Sequence, residues 1–481
     1  MKPLLATLLL LSLAAPLCAA DSRPNILFCL ADDWSWPHAG AYGDKTVRTQ
    51  TFDRLAREGM LFNYCFSAAP TCSASRAAML TGQYPHRLAE GGDLWAFLPH
   101  RFPNYVDLLE QSGYVVGFMR KGWGPGNYQA GGYTRNPGGP RFDSFEQFLK
   151  TVPTGKPFCF WFASNDPHRP YPPGVGAQSG LKADLVFVPP MWPDNEVSRN
   201  DILDYYARIG RFDTEAGAML DLLSQRNELD NTLVLMTGDN GWPFPRCKAN
   251  LYDGGTRQPL AVRWPARIKP AQTTDDFINL MDLAPTFLQA AGLAVPSDMT
   301  GKTFLPLLTG EEKSGSRNVV FLERERHAAV RTGMLGYPAR AIRTREFLYI
   351  RNIHPDRWPA GDPLPVQDPF FPFGDTDEGP TKGYILAHRD EPAISKLFDL
   401  SFAKRPAEEL YDVRTDPHDL KTLASDPAYT QAKKDLRAQL DRWMRDTADP
   451  RASSDADPWD HYPYFGGKAP AATQRTNVPA R

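Results

Sequence analysis

Four short apolar runs, each ending abruptly in polar residues, constrain what this chain can fold into. Residues 25–31 stop at Asp32-Asp33, residues 115–119 at Arg120-Lys121, residues 158–164 at Asn165-Asp166-Pro167-His168, and residues 232–237 at Gly238-Asp239-Asn240. Runs this short and this continuously apolar read as strands buried on both faces. Between them lie helical patterns. The clearest places Ile202, Tyr206, Ile209, Ala216, Leu220 and Leu223 on one face, with Asn200 positioned to cap its start. Strands alternating with helices predict an α/β fold, a large mainly parallel sheet sandwiched by helices. In such sheets ligands bind beyond the carboxyl ends of the strands. All four runs deliver titratable or amide residues at that end, which predicts one composite site.

A chain of 481 residues has room for one large unit and a smaller second one. We expect a catalytic domain over 21–317 and a smaller α+β domain over 318–448. Strands are expected at 319–321 and 347–350, a short element at 410–411 and a helix over 427–444. Residues 449–481, rich in Pro, Ala, Gly and Asp, are expected to form an extended or disordered tail. Residues 1–20 read as a signal peptide: Lys2, an apolar stretch over 4–13, and small residues at Ala19-Ala20. That stretch is too short to span a membrane. An exported protein, periplasmic or secreted, is expected, and the absence of any Asn-x-Ser/Thr acceptor favours a bacterial one. Five cysteines follow the leader, and an odd count marks one thiol for another role; Cys29 and Cys159 sit in apolar runs and read as core. The net charge of −2 argues against nucleic acid as partner, so an anionic substrate has to be met by a local basic site.

Asp32, Asp33, Asp239 and Asn240 are oxygen donors at strand ends. Such a set suits a hard divalent cation, Ca²⁺ or Mg²⁺, rather than zinc. Beside them an unmodified Cys72 thiolate would be a mismatched soft ligand. Cys72 precedes Ala77-Ala78-Met79-Leu80, a good helix opening, and a helix N-terminus offers free N–H groups to an anion. Arg76 would fall in the first turn, where its fork can grip oxyanions. Lys121 and Lys248 add positive charge, and His168 at a strand end is a candidate general acid.

The run Cys72-Ser73-Ala74-Ser75-Arg76, continuing to Gly82, resembles the signature of the type I, formylglycine-dependent sulfatases of the alkaline phosphatase superfamily. Asp32-Asp33, Asp239-Asn240-Gly241, Lys121, Asp166-Pro167-His168 and Lys248 match the pattern of that family position by position. The resemblance implies an alkaline phosphatase-like sheet. It implies that Cys72 is oxidised to formylglycine by a formylglycine-generating or anaerobic sulfatase-maturating enzyme. The hydrated aldehyde would then be both nucleophile and metal ligand, beside Asp32, Asp33, Asp239 and Asn240. Arg76, Lys121 and Lys248 would neutralise the sulfate, and His168 or Lys248 would protonate the leaving group. Asp239–Pro245 by number, residues 337–343, 409–412 and 416–418 resemble the heparan N-sulfoglucosamine sulfohydrolase group. Two departures stand out: Trp123 where the family carries a histidine after its lysine, and Ala74 where most relatives carry proline. The implied substrate is a sulfated glycan, with O- and N-sulfate both open. The arginine-rich segment 324–351 is expected to supply a basic subsite through Arg326, His327, Arg340 and Arg343. Two other readings stay open, a phosphonate or phosphodiester hydrolase of the same superfamily and a non-catalytic sulfated-glycan-binding protein.

Overall fold

Strand β1 (Asn25–Ala31) is buried along its whole length because both of its faces are covered. Ile26, Phe28 and Leu30 point to one side and Leu27, Cys29 and Ala31 to the other, each set joining a separate apolar core. This computed structural model describes residues 23–365, 371–454 and 456–467; the expected signal peptide lies outside them. Further strands of the same sheet are β2 (Met60–Phe66), β3 (Val115–Arg120), β4 (Arg141–Phe142), β5 (Phe158–Ala163), β6 (Thr232–Gly238), β7 (Arg257–Arg263) and β8 (Gln272–Asn279). Their order is β4-β3-β5-β1-β6-β7-β2-β8. The four apolar runs of the sequence are β3, β5, β1 and β6, adjacent and parallel, so their carboxyl ends lie side by side. The sheet is mixed rather than wholly parallel, since β7 runs antiparallel to both β6 and β2.

The long helix Glu196–Gln225 covers one face with Ile202, Ile209, Phe212, Leu220 and Leu223. It begins earlier than Asn200. The cap is Asn195, whose side chain accepts the N–H of Ser198 at 3.0 Å, ahead of the first apolar turn. Helices Tyr105–Gln111 and Leu283–Ala290 cover the other face. All five described cysteines are buried free thiols.

A second, antiparallel sheet has β9 (Val319–Arg324), β10 (Ala339–Thr344), β11 (Phe347–Asn352) and β12 (Glu408–Asp412) in the order β12-β11-β10-β9. One face carries helix Thr430–Asp446 through Leu436, Leu440 and Met444, spaced one turn apart, and Trp443 stacks on Phe321. The other face packs Leu322, Ala341, Leu348 and Ile350 against Phe66, Leu251 and Phe277 of the large sheet's layer.

The segment from Asp449 corrects the expectation of an extended tail, as far as residue 467. It folds back in two short helical turns and buries Trp459 to 1 % exposure. Charge drives this: the Asp449 carboxylate takes Arg340 at 2.6 Å, and Arg451 takes Glu325 at 2.7 Å. Low apolar content is misleading where a segment is held by ion pairs already buried on its target.

Candidate active site

Each strand end delivers its side chains through a constrained turn. Asp33, the second residue after β1, has φ 74°, and Arg120, closing β3, has φ 68°. Non-glycine residues avoid this left-handed region, and both turns redirect the next side chains toward the space above the sheet. At Gly241, after β6, a Cβ would lie 2.1 Å from the carbonyl of Gly254, so only glycine lets the Asp239-Asn240 loop close against that chain.

Cys72 is the first residue of helix Cys72–Thr81, which is buried along its length, with Thr71 extended before it. Its Sγ lies 3.4 Å from Asp32 Oδ1 and 3.9 Å from Asp33 Oδ1. Ligand atoms of Asp32, Asp33, Cys72 and Asp239 all fall within 4.8 Å of one another. Arg76, fully buried one turn on, donates from Nε to Asp239 Oδ2 at 2.8 Å and from Nη1 to the Gly122 carbonyl at 2.7 Å. Lys121 Nζ reaches Asp32 at 2.6 Å, and Lys248 Nζ reaches Asp33 at 2.8 Å. His168 is the open member: its side chain is 37 % exposed, with Nε2 3.9 Å from Asp33 Oδ2. Its Nδ1–H donates to the Arg169 carbonyl, which turns Nε2 toward the cluster.

The sequence missed Asp377, which accepts from Lys248 Nζ at 3.0 Å. It comes from a proline-rich loop after the second sheet has begun. No strand end announces it; the one available signal was that a buried second lysine needs a further counter-charge. Its neighbour Asp375 fixes that loop by pairing with Arg324 and Arg331 and by accepting the N–H of Ala328.

Four carboxylates thus face three fixed cations, in a space closed to water on most sides. Burial alone would raise the pKa of Asp32, but Lys121, His168, Arg76 and Lys248 hold it well below the usual carboxylate range. Asp239 goes the other way: burial, with the carboxylates of Asp32 and Asp33 close by, pushes it up to about 6 against the pull of Arg76. Burial works against charge on Lys248, yet Asp33 and Asp377 raise its pKa well above the usual value. Burial pushes the Cys72 thiol well above its ordinary value, so the unmodified side chain is a neutral thiol and a poor nucleophile.

The donor set fits a divalent cation, and one atom marks this. Asn240 Nδ2 donates to Asp33 Oδ1 and the Gly241 carbonyl, leaving Asn240 Oδ1 buried with no partner among the described residues. An unfilled acceptor beside three carboxylates suits an oxygen-coordinated ion of the Ca²⁺ or Mg²⁺ type.

The four residues expected to form a basic subsite divide. Arg326, Arg340 and Arg343 are corrected: all three are buried and paired. Arg326 holds Asp93 at 3.0 Å, Arg340 holds Asp449 and Glu325, and Arg343 grips both oxygens of Asp253 at 2.8 and 2.9 Å. Both faces of β10 are covered, so Arg340 and Arg343, which point to opposite faces, are each buried inside the fold. His327 does border the site. Its Nδ1 is 2.7 Å from the Oγ1 of Thr71, the residue before Cys72, and burial lowers its pKa to about 4, so it is neutral. Trp123 is turned away from the cluster, its Nε1 donating to the Ser73 carbonyl of the nucleophile helix at 3.2 Å.

Paired carboxylates, an unfilled amide oxygen and clustered cations at strand ends define a hydrolase-type site for a tetrahedral oxyanion. The chain belongs to the sulfatase family: the family model "Sulfatase" matches residues 24–293, and "N-sulphoglucosamine sulphohydrolase, C-terminal" matches 238–362. It is 30 % identical to the human N-sulphoglucosamine sulphohydrolase, over 92 % of this chain and 93 % of that protein. It is 29 % identical to an ulvan-active sulfatase of Formosa agariphila, over 90 % and 82 %. In fold it resembles a solved protein in complex with its substrate D-glucosamine-2-N,6-O-disulfate, with TM-score 0.65, 19 % identity, and 90 % and 100 % of the two chains covered. The phosphonate monoester hydrolase of Agrobacterium radiobacter shares the fold as well, with TM-score 0.60, 19 % identity, and 88 % and 96 % covered. The protein is a sulfatase, a sulfuric ester hydrolase.

Proposed function

We propose that this sulfatase removes sulfate from a sulfated glycan, with Cys72 converted to formylglycine and a divalent cation held by Asp32, Asp33, Asp239, Asn240 and residue 72. The observation carrying this reading is the unfilled Asn240 Oδ1 within a ring of carboxylates whose members approach Cys72 Sγ to 3.4 Å. Cys72 Sγ stands where the oxygens of an aldehyde hydrate would lie, and oxygen suits that ring where sulfur does not. When bound, the cation would polarise sulfate and favour the ionised hydrate. Its two positive charges would also turn a cluster with an excess carboxylate into one that attracts anions.

The remaining work belongs to this chain's own side chains. Arg76 orients the carboxylate of Asp239 and, with Lys121 and Lys248, supplies preorganised positive charge where the transferring group sits. His168 Nε2, facing the cluster from the accessible side, gives its proton to the leaving oxygen or nitrogen, a contribution of about 10²–10⁴-fold. Trp123 supplies no proton, so His168 and Lys248 carry the proton traffic. His327, neutral and bonded to Thr71, fixes the turn that presents residue 72. The human relative's name makes an N-sulfated glucosamine one candidate substrate, and the name of the Formosa agariphila relative makes ulvan another. We place the protein outside the cytoplasm, periplasmic or secreted, after modification by a formylglycine-generating or anaerobic sulfatase-maturating enzyme.

The test is twofold. Mass spectrometry of the peptide bearing residue 72, from a host with the modifying enzyme, should find the aldehyde; an intact cysteine would remove the nucleophile. Rates on matched sulfate and phosphonate esters should favour sulfate, and the reverse order would move the protein to phosphonate hydrolysis.

A further inference from the structure

A second cavity, of about 510 Å³, opens beside the loops that follow β1 and β6 and shares no lining residue with the carboxylate–lysine cluster. Its size falls within the range of ligand pockets, roughly 300–1,000 Å³. Its walls are aromatic: Trp36, Tyr42, Tyr206, Trp242 and Tyr252. At its edge Leu185 and Phe187 are 56 % and 65 % exposed, and Phe187 stacks on His418 at 5.8 Å between ring centroids. Large apolar side chains are rarely left in water around a hollow unless something covers them.

The charges of the wall are mostly spoken for. Asp253 is held by Arg343, while Asp44 accepts from Tyr206 and from the N–H groups of Thr46 and Val47. Arg246 donates to the carbonyls of Leu400 and Asp419. Lys45 differs: it is exposed and has no hydrogen bond or ion pair among the described residues. Trp36 and Asp419 also line the cavity, and Trp36 Nε1 and Asp419 Oδ1 have no partner among the described residues; burial and the nearby Asp253 push the Asp419 carboxyl up to about 8. Flat rings, unused polar atoms and one uncommitted cation suit a sugar ring. Its C–H faces pack on aromatics, its hydroxyls bond at the edge, and one acidic substituent can meet the lysine. A lipid tail would leave the polar atoms unanswered.

We propose that this cavity binds an acidic pyranose unit of a glycan, at a position other than the one that carries the cleaved sulfate. The proposal rests on the sulfatase reading for its choice of polymer. Ser35 links the two places: its Oγ accepts from Trp242 N–H at 2.8 Å and donates to the Gly254 carbonyl at 2.9 Å, three residues from Asp32. The spacing between cavity and cluster is therefore fixed by the same loops that present Asp33 and Asn240. A chain gripped here would be presented to the site in a set register.

The experiment is calorimetric titration of the full-length Cys72→Ala protein with a desulfated, uronate-containing hexasaccharide, and with the same hexasaccharide after carboxyl reduction. Binding is expected for the first and about tenfold weaker binding for the second. Phe187→Ala should weaken binding of both about tenfold, and Lys45→Gln should weaken the uronate form alone. Both side chains are exposed, so neither variant threatens folding. No binding of the desulfated hexasaccharide, or equal binding by wild-type-like and both variant proteins, would overturn the proposal. Failure of the sulfatase reading would show separately, as absence of sulfate release by the unsubstituted enzyme, and leaves this titration intact.

Discussion

Two regions of this protein are built from the same ingredients, buried arginine or lysine against buried carboxylate, and only one has the makings of a reactive site. Around Cys72 the pairing is incomplete. Asn240 Oδ1 has no partner among the described residues, the carboxylates outnumber the cations, Asp239 is pushed up to about 6, and His168 reaches solvent. Around Arg340 the pairing is complete among the described residues. Arg340 alone meets Asp449, Glu325 and Glu323, and Arg451 closes on Glu325 from the returning chain. The difference is in residual valence rather than in charge content. A buried network with every donor and acceptor answered holds the chain together; one left with unfilled acceptors and a solvent-facing base can take up a ligand.

The sharpest way to break this comparison is Cys72→Ala, expected to lower sulfatase turnover by on the order of 10⁴-fold while leaving the thermal midpoint close to that of the parent. A comparable loss on Arg340→Met, measured per folded molecule, would mean that the second network is catalytic after all. Next in size, chelation of divalent cations should reduce turnover by about 10²-fold or more, and restoring Ca²⁺ or Mg²⁺ should return activity and raise the thermal midpoint. Turnover indifferent to chelation would strip the Asn240 argument of its force. Arg340→Met itself should cost about 3–5 kcal/mol of stability in denaturant unfolding, because it strands the Asp449 carboxylate in the interior, while Glu325 keeps Arg451.

The smallest expected effect is a pH dependence. In the metal-free protein the pKa of Asp239 is raised above its unfolded value, so its contribution to stability is present below about pH 4 and is lost as pH rises through about 6. Metal binding must displace that proton. Apparent Ca²⁺ affinity should therefore climb up to tenfold per pH unit below about 6 and flatten above it. A flat affinity profile between pH 4 and 7 would show that Asp239 does not ligate.

Much of the site was legible because the fold writes it at strand ends. Residues 25–31, 115–119, 158–164 and 232–237 are apolar for burial between two helical layers, so the first polar residues after each had to face the same opening. Asp377 was hidden because a loop of the second domain brings it, and nothing local fixes where such a loop returns. The arginines of 324–351 misled for a related reason. Cover on both faces of β10 buries Arg340 and Arg343, but their partners Asp449 and Asp253 lie 109 and 90 residues away in sequence. A run of cations looks like a ligand surface until the far carboxylates that answer it are seen. The mixed sheet had the same character, since the reversal at β7 depends on pairing rather than on pattern.

The burial of Cys72 sets a clock. At 2 % exposure, at the head of a helix whose ten residues are all buried, it is beyond the reach of another protein's active site once the chain has closed. Any enzyme that alters this side chain has to act on an open chain and read the local sequence as an extended peptide. Residues 449–462, made long after residue 72, are the ones that lock Arg340 and Arg326, through Asp449, Asp460 and Tyr462. Closure of the second sheet's network therefore trails synthesis of residue 72 by more than 370 residues, and until the chain closes the Cys72 side chain stays open to reaction.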